Sequence, residues 1–371
     1  MPSQTRGLIE GQIQSGNTLI SLAKKDRSPA TWPHFSHPNH SAVVASGLRS
    51  LYQLRKILIA HKPDIVHITG IWIPIHQLWA LEVSRAKIPY VVSIHGNLSP
   101  LGTIVRFGGK KQYPFHAWRK KIWHQVADRY LLKYAAGAFV HSRYEAEILK
   151  GFGVKNISVV PAGIEPKSVE SKNFGTRELH RPITFLHLGR LDIYHKGLDL
   201  ICDALKKLSV LGQKKSFKVI FVGPTVGDSQ KKLEEASASL GKGILEIRNA
   251  IWGNAKEDLW NEVDYFFNVY RFAGMALAPA EALARGIPLI ASREGNFGDW
   301  LHDRKMGFTV PLDSHAICNQ IMSILDISNR EYQLISRNAL SFSKLYTWER
   351  IAQETVSNYR KHLLAAQSTL T

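Results

Sequence analysis

The sequence NVYRFAGMALAPAEALARGIPLIAS occupies residues 268–292 and contains a strand end, a turn, a helix and the beginning of a second strand. Gly274 permits a tight turn, and residues 275–277 begin a helix that ends at Gly286. Pro288 then leads into a short apolar run that predicts a buried strand. Two buried strands joined by one short helix are typical of a parallel sheet in an α/β protein.

The same alternation of strands and helices extends from this stretch in both directions. Strands are predicted where short, continuous apolar runs occur, at 183–189, 217–223, 244–249, 264–269 and 287–292 in the C-terminal half and at 64–70, 89–96, 137–142 and 157–163 in the N-terminal half. Helices are predicted between them, including 48–61, 75–87 and about 114–135. The pattern predicts doubly wound α/β domains whose parallel sheets are covered on both faces.

The length of 371 residues fits two domains. We place the first domain at residues 1–165 and the second at 182–346, with a short linker between them. Residues 347–371 are predicted to form a C-terminal helix that packs back toward the first domain. Near the N-terminus, residues 16–26 predict a strand, and the proline-rich residues 28–41 predict a loop.

Charge is the unusual feature of the composition. Forty-eight Lys and Arg residues against thirty Asp and Glu residues leave a net charge of +18, and residues 1–165 carry +13 of it. This excess predicts a polyanionic partner, and nucleic acid, an anionic membrane surface and a phosphorylated small molecule all remain open on charge alone. The apolar runs are too short to span a membrane, and the N-terminus has no signal core. Cys202 and Cys318 are too few for a disulfide framework, so we predict a cytoplasmic protein.

A pair of cations follows the first predicted strand of the second domain. Gly189 ends this strand, and Arg190 and Lys196 precede a helix. Two cations beside a helix N-terminus suit a diphosphate, which requires charge neutralisation and backbone N–H donors. The alternative is that both residues are surface charges beside a turn, because Gly, Arg and Lys are common between strands and helices.

Glu281 lies on a predicted helix that otherwise consists of Ala, Leu and Pro. A buried carboxylate without a partner is costly, so we expect this side chain to have one. The partner is either a bound ligand or Arg285, which lies one helical turn later and would form an ordinary ion pair.

Taken in order, the motifs LGRLDIYHKGLDL, FVG, YRFAGMALAPAEALARGIPLIAS and GFTVP resemble those of the family 4 glycosyltransferases, which are retaining enzymes with the GT-B fold. The segments PDIVHITGIW, PYVVSIHG and VVPAGIE in the first half support the resemblance, which covers about residues 60–360. It implies two Rossmann-like domains facing a cleft, with a nucleotide sugar held mainly by the second domain. It also implies that the donor is bound without a metal or another cofactor.

The resemblance assigns roles to individual residues. Arg190 and Lys196, which follow Gly189, match the basic pair that holds the donor diphosphate, and Glu281 matches a glutamate that binds the nucleotide ribose. His95 matches a histidine that family members often place against the transferred sugar. The helix start whose backbone amides meet the phosphate in the family corresponds to Gly274, Met275, Ala276 and Leu277. Three other strand-end histidines are predicted to be structural, namely His67, His141 and His187.

The sequence departs from the family pattern at two places. Eight residues before Glu281, Ala273 stands where the family has its first glutamate, near the hydroxyls of the transferred sugar. Ala273 is therefore assigned to the catalytic site, and we expect donor binding to survive and catalysis to be impaired. The family also opens with a strand and a glycine-rich loop. We expect this chain to enter the pattern at the second strand or beyond, with its first domain incomplete at the start; a displaced start and a deletion both remain open.

Residues 105–125 interleave six basic residues with Phe, Tyr and Trp. Three interpretations remain open for this segment. It is a solvated basic face, an interfacial region for anionic lipid or a lipid-linked acceptor, or a nucleic-acid-binding segment. No recognised nucleic-acid module accompanies it, so we expect no nucleic-acid partner.

These features predict a retaining glycosyltransferase of the hexosyltransferase type. Its donor is expected to be a nucleotide sugar and its acceptor a glycan or a lipid-linked molecule, in the cytoplasm or as a peripheral protein on the inner face of the membrane. The alternative is a catalytically impaired relative that binds a sugar nucleotide or a protein partner, and Ala273 motivates that alternative.

Overall fold

The computed structural model describes residues 2–23, 37–95, 98, 114–161, 163, 177–211, 216–241, 243–272, 277–295 and 297–368. The chain forms two compact units. Unit 1 contains the described residues up to Gly163 together with those from Tyr346 onward, and unit 2 contains the described residues between them. None of the helices in these ranges is both long and apolar enough to cross a bilayer.

Unit 1 begins with helix α1 (Pro2–Gln14). Strands β1 (Leu19–Ala23) and β2 (His40–Val44) then pair in parallel, and helix α2 (Leu48–His61) follows. The predicted strand within residues 16–26 and the predicted helix at 48–61 are confirmed. The sequence pattern did not indicate α1, and the loop predicted at 28–41 is wrong at its end, because β2 begins there.

Two glycines explain why α1 has no clear helical signature. Gly7 and Gly11 lower the intrinsic helix propensity of the segment. In the fold they allow close packing against helix α14 (Trp348–Ser368): a Cβ atom at Gly7 would overlap the Trp348 indole, and one at Gly11 would lie 2.7 Å from the Ala352 Cβ. The helix therefore depends on tertiary packing, which propensity does not report.

The core of unit 1 is a four-stranded parallel sheet. Its strands lie in chain order and are β3 (Val66–Thr69), β4 (Tyr90–Ser93), β5 (Gly137–Val140) and β6 (Ile157–Val159). The connections contain α3 (Pro74–Arg85), α4 (Pro114–Trp123), a π-helical turn (His124–Asp128), α5 (Arg129–Lys133) and α6 (Arg143–Lys150). These elements confirm the strands and helices predicted for the N-terminal half.

Unit 2 is built on a six-stranded parallel sheet. Its strands are β7 (Ile183–Leu188), β8 (Phe217–Val222), β9 (Leu245–Arg248), β10 (Tyr265–Asn268), β11 (Leu289–Ala291) and β12 (Gly307–Thr309). The helices are α7 (Leu198–Val210), α8 (Ser229–Leu240), α9 (Asn254–Asn261), α10 (Leu277–Ala284), α11 (Gly298–Arg304), α12 (Ser314–Leu325) and α13 (Asn329–Leu345). The predicted strands are confirmed, as is the α/β class.

The order of strands in unit 2 determines where a ligand site is expected. The sheet runs β12–β11–β10–β7–β8–β9, so the chain moves to one side of β7 and later returns to its other side at β10. In open parallel sheets, ligands bind outside the carboxyl ends of the strands at the point where the order reverses. In unit 2 this point lies beyond β7 and β10.

Candidate functional site

Two glycines shape the chain where it leaves β7 and the neighbouring strand β8. Gly189 has φ +146° and Gly223 has φ +147°, backbone conformations that residues with a side chain rarely adopt. A Cβ atom on Gly223 would overlap the carbonyl oxygen of Gly189, so the two backbones pass in direct contact. The Gly189 N–H donates to the Val222 carbonyl over 2.9 Å. The two chains stay together just beyond this passage, because Leu191 forms a parallel bridge with Thr225, and residues 190–197 begin there.

Both predicted cations lie in this segment. Lys196 places its ammonium Nζ 3.6 Å from the ring centroid of Tyr270, which follows β10. Burial lowers the pKa of Lys196 to about 7, the positive charge of Arg190 adds to the effect, and Asp192 opposes it. An anion bound beside Arg190 and Lys196 would remove this repulsion, so the electrostatics of the pair favour a negatively charged ligand.

His195 connects the two cations to the end of β10. Its Nε2 donates to the Phe272 carbonyl over 2.7 Å, and its ring stacks on that of Phe272 with centroids 4.1 Å apart. Burial, together with the charge of Lys196, lowers the pKa of His195 to about 3, so the ring is neutral. Its Nδ1 therefore accepts from Arg190 Nη2 over 3.3 Å, which orients the guanidinium.

Arg271 braces the same segment from the other side. It donates to the Tyr194 carbonyl over 2.6 Å and forms a two-point ion pair with Asp199 over 2.7 and 2.8 Å. Its guanidinium also lies 4.0 Å from the ring centroid of Tyr194. The sequence pattern did not predict a role for His195 or Arg271. The only local signal is their position beside the strand ends in the HKG and YRF motifs.

Glu281 lies on α10, whose first residue is Leu277. Its carboxylate forms an ion pair with Lys256 of α9, with Nζ and Oε2 2.6 Å apart. The predicted alternative, a pair with Arg285, is wrong, because Arg285 donates to the backbone carbonyl of Glu281 and pairs its guanidinium with Glu257 over 2.8 Å. The remaining predicted residues of this turn lie outside the described residues, namely Ala273, Gly274, Met275 and Ala276.

His95 follows β4 in unit 1 and has φ +53°, an uncommon conformation for a residue with a side chain. Its Nδ1 lies 2.8 Å from His141 Nε2, and His141 Nδ1 lies 2.9 Å from the Val160 carbonyl. A carbonyl only accepts, so His141 donates to it, and His95 Nδ1 then donates to His141. Burial, followed by the neighbouring histidines, holds the pKa of His95 well below its ordinary value.

This chain of hydrogen bonds leaves His95 Nε2 as an acceptor. The atom is buried and has no hydrogen-bond partner within the described part of the chain. A neighbouring histidine, His67, bonds to Ser93 Oγ over 2.7 Å and to the Tyr359 hydroxyl over 2.5 Å. His67 therefore joins β3 to β4 and α14, whereas no described residue donates a hydrogen bond to Nε2 of His95.

No group of His, Cys, Asp and Glu side chains among the described residues has an arrangement suited to a metal ion. The charged groups described above in unit 2 include the cations Arg190 and Lys196, the ion pair of Arg271 with Asp199 and the ion pair of Lys256 with Glu281.

Comparisons with known proteins identify the family. Residues 18–168 match the model of Glycosyltransferase Family 4, and residues 182–326 match that of Glycosyl transferases group 1. Together the two matches take in most of the chain, and the protein belongs to these glycosyltransferases.

Relatives and solved structures agree with this assignment. The chain is 25% identical to a phosphatidyl-myo-inositol mannosyltransferase of Mycobacterium leprae over 316 residues, which is 83% of this chain and 76% of the relative. Sucrose-phosphate synthase from Thermosynechococcus elongatus superimposes with a TM-score of 0.69 at 17% identity, covering 98% of this chain and 93% of that one. The Anabaena protein HepE, solved with UDP and glucose, gives 0.59 at 17% identity, with 86% of each chain covered. These likenesses confirm the GT-B fold.

Proposed function

We propose that the protein is a retaining glycosyltransferase that uses a nucleoside-diphosphate sugar and requires no metal. The observation that carries the proposal is the cation pair Arg190 and Lys196 at the carboxyl end of β7, where the sheet order reverses. The leaving nucleoside diphosphate gains negative charge in the transition state, and cations fixed in advance stabilise that charge. His195 and Arg271 hold the two cations in place, because their hydrogen bonds connect residues 190–197 to the segment that follows β10.

The backbone around α10 completes the proposed donor site. The family resemblance assigns to the phosphate the backbone amides of Gly274, Met275, Ala276 and Leu277, of which only Leu277 lies among the described residues. Glu281 would accept from the ribose hydroxyls through the oxygen that Lys256 does not engage. The complex of HepE with UDP and glucose supports a nucleotide-sugar donor for a chain of this fold.

In unit 1, His95 is proposed to contact the transferred sugar. Its Nε2 is an acceptor held in a buried position by the bond from Nδ1 to His141. A sugar hydroxyl is a donor of the required kind. A neutral imidazole suits this role better than a cation, because it can accept the hydroxyl proton, and burial keeps His95 neutral.

The proposed acceptor is a glycan or a lipid-linked molecule, in polysaccharide or glycolipid assembly at the cytoplasmic side of a membrane. The name of the Mycobacterium leprae relative, a phosphatidyl-myo-inositol mannosyltransferase, supports a lipid-linked acceptor. The second candidate function is donor or partner binding with little turnover. Ala273 favours it, because alanine offers neither a charge nor an acceptor at the position where the family has a glutamate.

Calorimetry with a panel of UDP, GDP and ADP sugars in the presence of EDTA tests the donor assignment. One member should bind, and Arg190→Ala or Lys196→Ala should weaken it by about 10- to 100-fold, the value of one charge-assisted contact. Lys218→Ala is the matched control, because Lys218 lies near the start of β8, at the opposite edge of the same sheet. Unchanged affinity in both site variants, or binding abolished by EDTA, would contradict the assignment. Product analysis with the donor that binds then distinguishes a glycosyltransferase from a protein that only binds the donor, and it reports the anomeric configuration of the product.

A further inference from the structure

A row of exposed apolar side chains runs along the helical segment from α4 through the π-helical turn to α5. Its members are spaced four residues apart and are between 39% and 68% exposed: Trp118, Ile122, Val126, Tyr130 and Tyr134. We call this row the apolar stripe. A contiguous row of this kind is uncommon on a protein surface that faces only water, because exposed apolar residues are normally scattered.

The π-helical turn keeps the stripe on one face. In an unbroken α-helix, steps of four residues rotate by about 40° each, so four steps would turn the row by about 160°. The π-helical turn (His124–Asp128) accommodates about one extra residue, which removes about 100° of that rotation. The row consequently ends about 60° from where it began, so its members stay on one side of the helical segment.

The opposite face of the same turn is anchored in unit 1. The carboxylate of Asp128 is fully buried and accepts from Gln77 over 2.9 Å, from the Trp123 indole over 3.2 Å and from His124 over 2.7 Å. Leu131 and Leu132 are buried on that side as well. This anchoring fixes the turn with its polar contacts inward and the apolar stripe outward.

Cations accompany the stripe. Lys121, Arg129 and Lys133 are exposed and occupy a second row, each one residue before a member of the stripe. Lys133 Nζ also lies 5.5 Å from the ring centroid of Tyr134, which packs against Tyr130 at 4.6 Å. The sequence from Val83 to Ala127 contains no acidic residue, and Asp128 is buried. The surface therefore offers aromatic and aliphatic groups beside positive charge and little exposed negative charge.

We propose that the apolar stripe inserts into the interfacial region of an anionic membrane. Tyr and Trp rings prefer the level of the lipid headgroups, and basic side chains beside them attract anionic lipid. The positive charge beside the apolar stripe favours an anionic membrane over a protein partner. An apolar stripe alone could bind a protein of any charge, whereas the row of cations requires an anionic surface. The proposal extends the proposed function by naming the surface at which a lipid-linked acceptor is met, but membrane attachment itself does not depend on catalysis.

The attachment proposed here differs from a purely electrostatic one. The interfacial interpretation of residues 105–125 rests on their mixture of basic and aromatic residues, and residues 105–113 lie outside the described structure. The apolar stripe starts within that segment at Trp118 and continues beyond it to Tyr134. If the apolar stripe inserts into the membrane, part of the vesicle binding should persist at high salt. The part contributed by the row of cations should be lost at high salt, because salt screens electrostatic attraction.

Co-sedimentation of the full chain with vesicles tests the proposal. Vesicles of equal parts phosphatidylcholine and phosphatidylglycerol should bind the protein, with some binding retained at high salt, and pure phosphatidylcholine vesicles should bind it more weakly. The triple variant Trp118→Ser, Val126→Ser, Tyr130→Ser should lower the partition coefficient by about tenfold or more and abolish the salt-resistant part. The double variant Arg129→Gln, Lys133→Gln should lower binding to anionic vesicles at low salt by about 30-fold and leave the salt-resistant part.

The matched control removes three exposed apolar side chains from unit 2 through Val210→Ser, Trp252→Ser and Leu334→Ser, and it should bind vesicles like the parent. Thermal melting and nucleotide-sugar binding, measured on the same variants, separate a loss of attachment from a loss of folding. A parent protein that binds vesicles but no nucleotide would refute the proposed function and leave this proposal standing. The proposal is overturned if the parent binds no vesicles, or if the triple serine variant binds them equally well. It is also overturned if that variant converts a dimer into a monomer in sedimentation velocity, because the stripe would then be an interface between two copies.

Discussion

The protonation of Lys196 should control donor affinity near neutral pH. In the free protein the pKa of Lys196 is about 7, because burial and the charge of Arg190 disfavour the ammonium form. A bound diphosphate supplies the missing negative charge and should raise this pKa toward its ordinary value of about 10.4. Binding should therefore take up a proton, and affinity should fall as the pH rises through 7.

The size of the effect follows from the pKa. About nine tenths of the free protein carries the Lys196 proton at pH 6 and about one tenth at pH 8, so affinity should fall about tenfold, or about 1.4 kcal/mol. Three groups near this ammonium keep their charge state over this range. The pKa values of His187 and His195 are lowered to about 3, and burial raises the pKa of Tyr270, so all three stay neutral.

Calorimetry at pH 6, 7 and 8 measures the affinity, and repeating it in buffers of different ionisation enthalpy measures the protons taken up. About half a proton per site is expected at pH 7 and about 0.9 at pH 8. Lys196→Arg, which stays charged, should bind with little pH dependence. Lys218→Arg, at the opposite sheet edge, should keep the tenfold fall. Equal affinity of the parent at pH 6 and 8, or a tenfold fall that persists in Lys196→Arg, would refute the reasoning.

Three further changes test other parts of the structure. Ala273→Glu should raise turnover by about 30- to 1000-fold, since one recovered contact made mainly in the transition state supplies about 2–4 kcal/mol; an alanine form already near about 10 per second would contradict this. Lys256→Met should raise the KM for the donor by about tenfold, because Glu281 loses the partner that orients it, and Lys256→Arg should keep the KM near that of the parent. Equal KM values in all three forms would show that Glu281 does not bind the donor. Gly11→Ala should lower the free energy of unfolding by about 1–3 kcal/mol in thermal or urea melts, because its Cβ would press on Ala352; an unchanged melt would show that α1 and α14 adjust freely.

Local sequence patterns were sufficient for most of the elements. Strands such as β7 and β8 are short, mainly apolar runs that end just before a glycine, and each occupies the position that its run predicts. The hydrophobic pattern is a local property, and in a sheet covered on both faces it marks a strand wherever the sheet lies. Helix α1 is the counterexample, because its glycines oppose helix formation until α14 covers them.

The sequence by itself determined the α/β class, the glycosyltransferase family and the cation pair Arg190 and Lys196, because each depends on residues close together along the chain. Only the tertiary structure decided which partners these groups have. Glu281 could have paired with Arg285 four residues away, yet it pairs with Lys256, 25 residues earlier, because α9 brings that lysine to it. The bracing of residues 190–197 by Arg271 likewise joins segments more than 70 residues apart. Such contacts depend on how strands and helices pack, and no local pattern of residues records that packing.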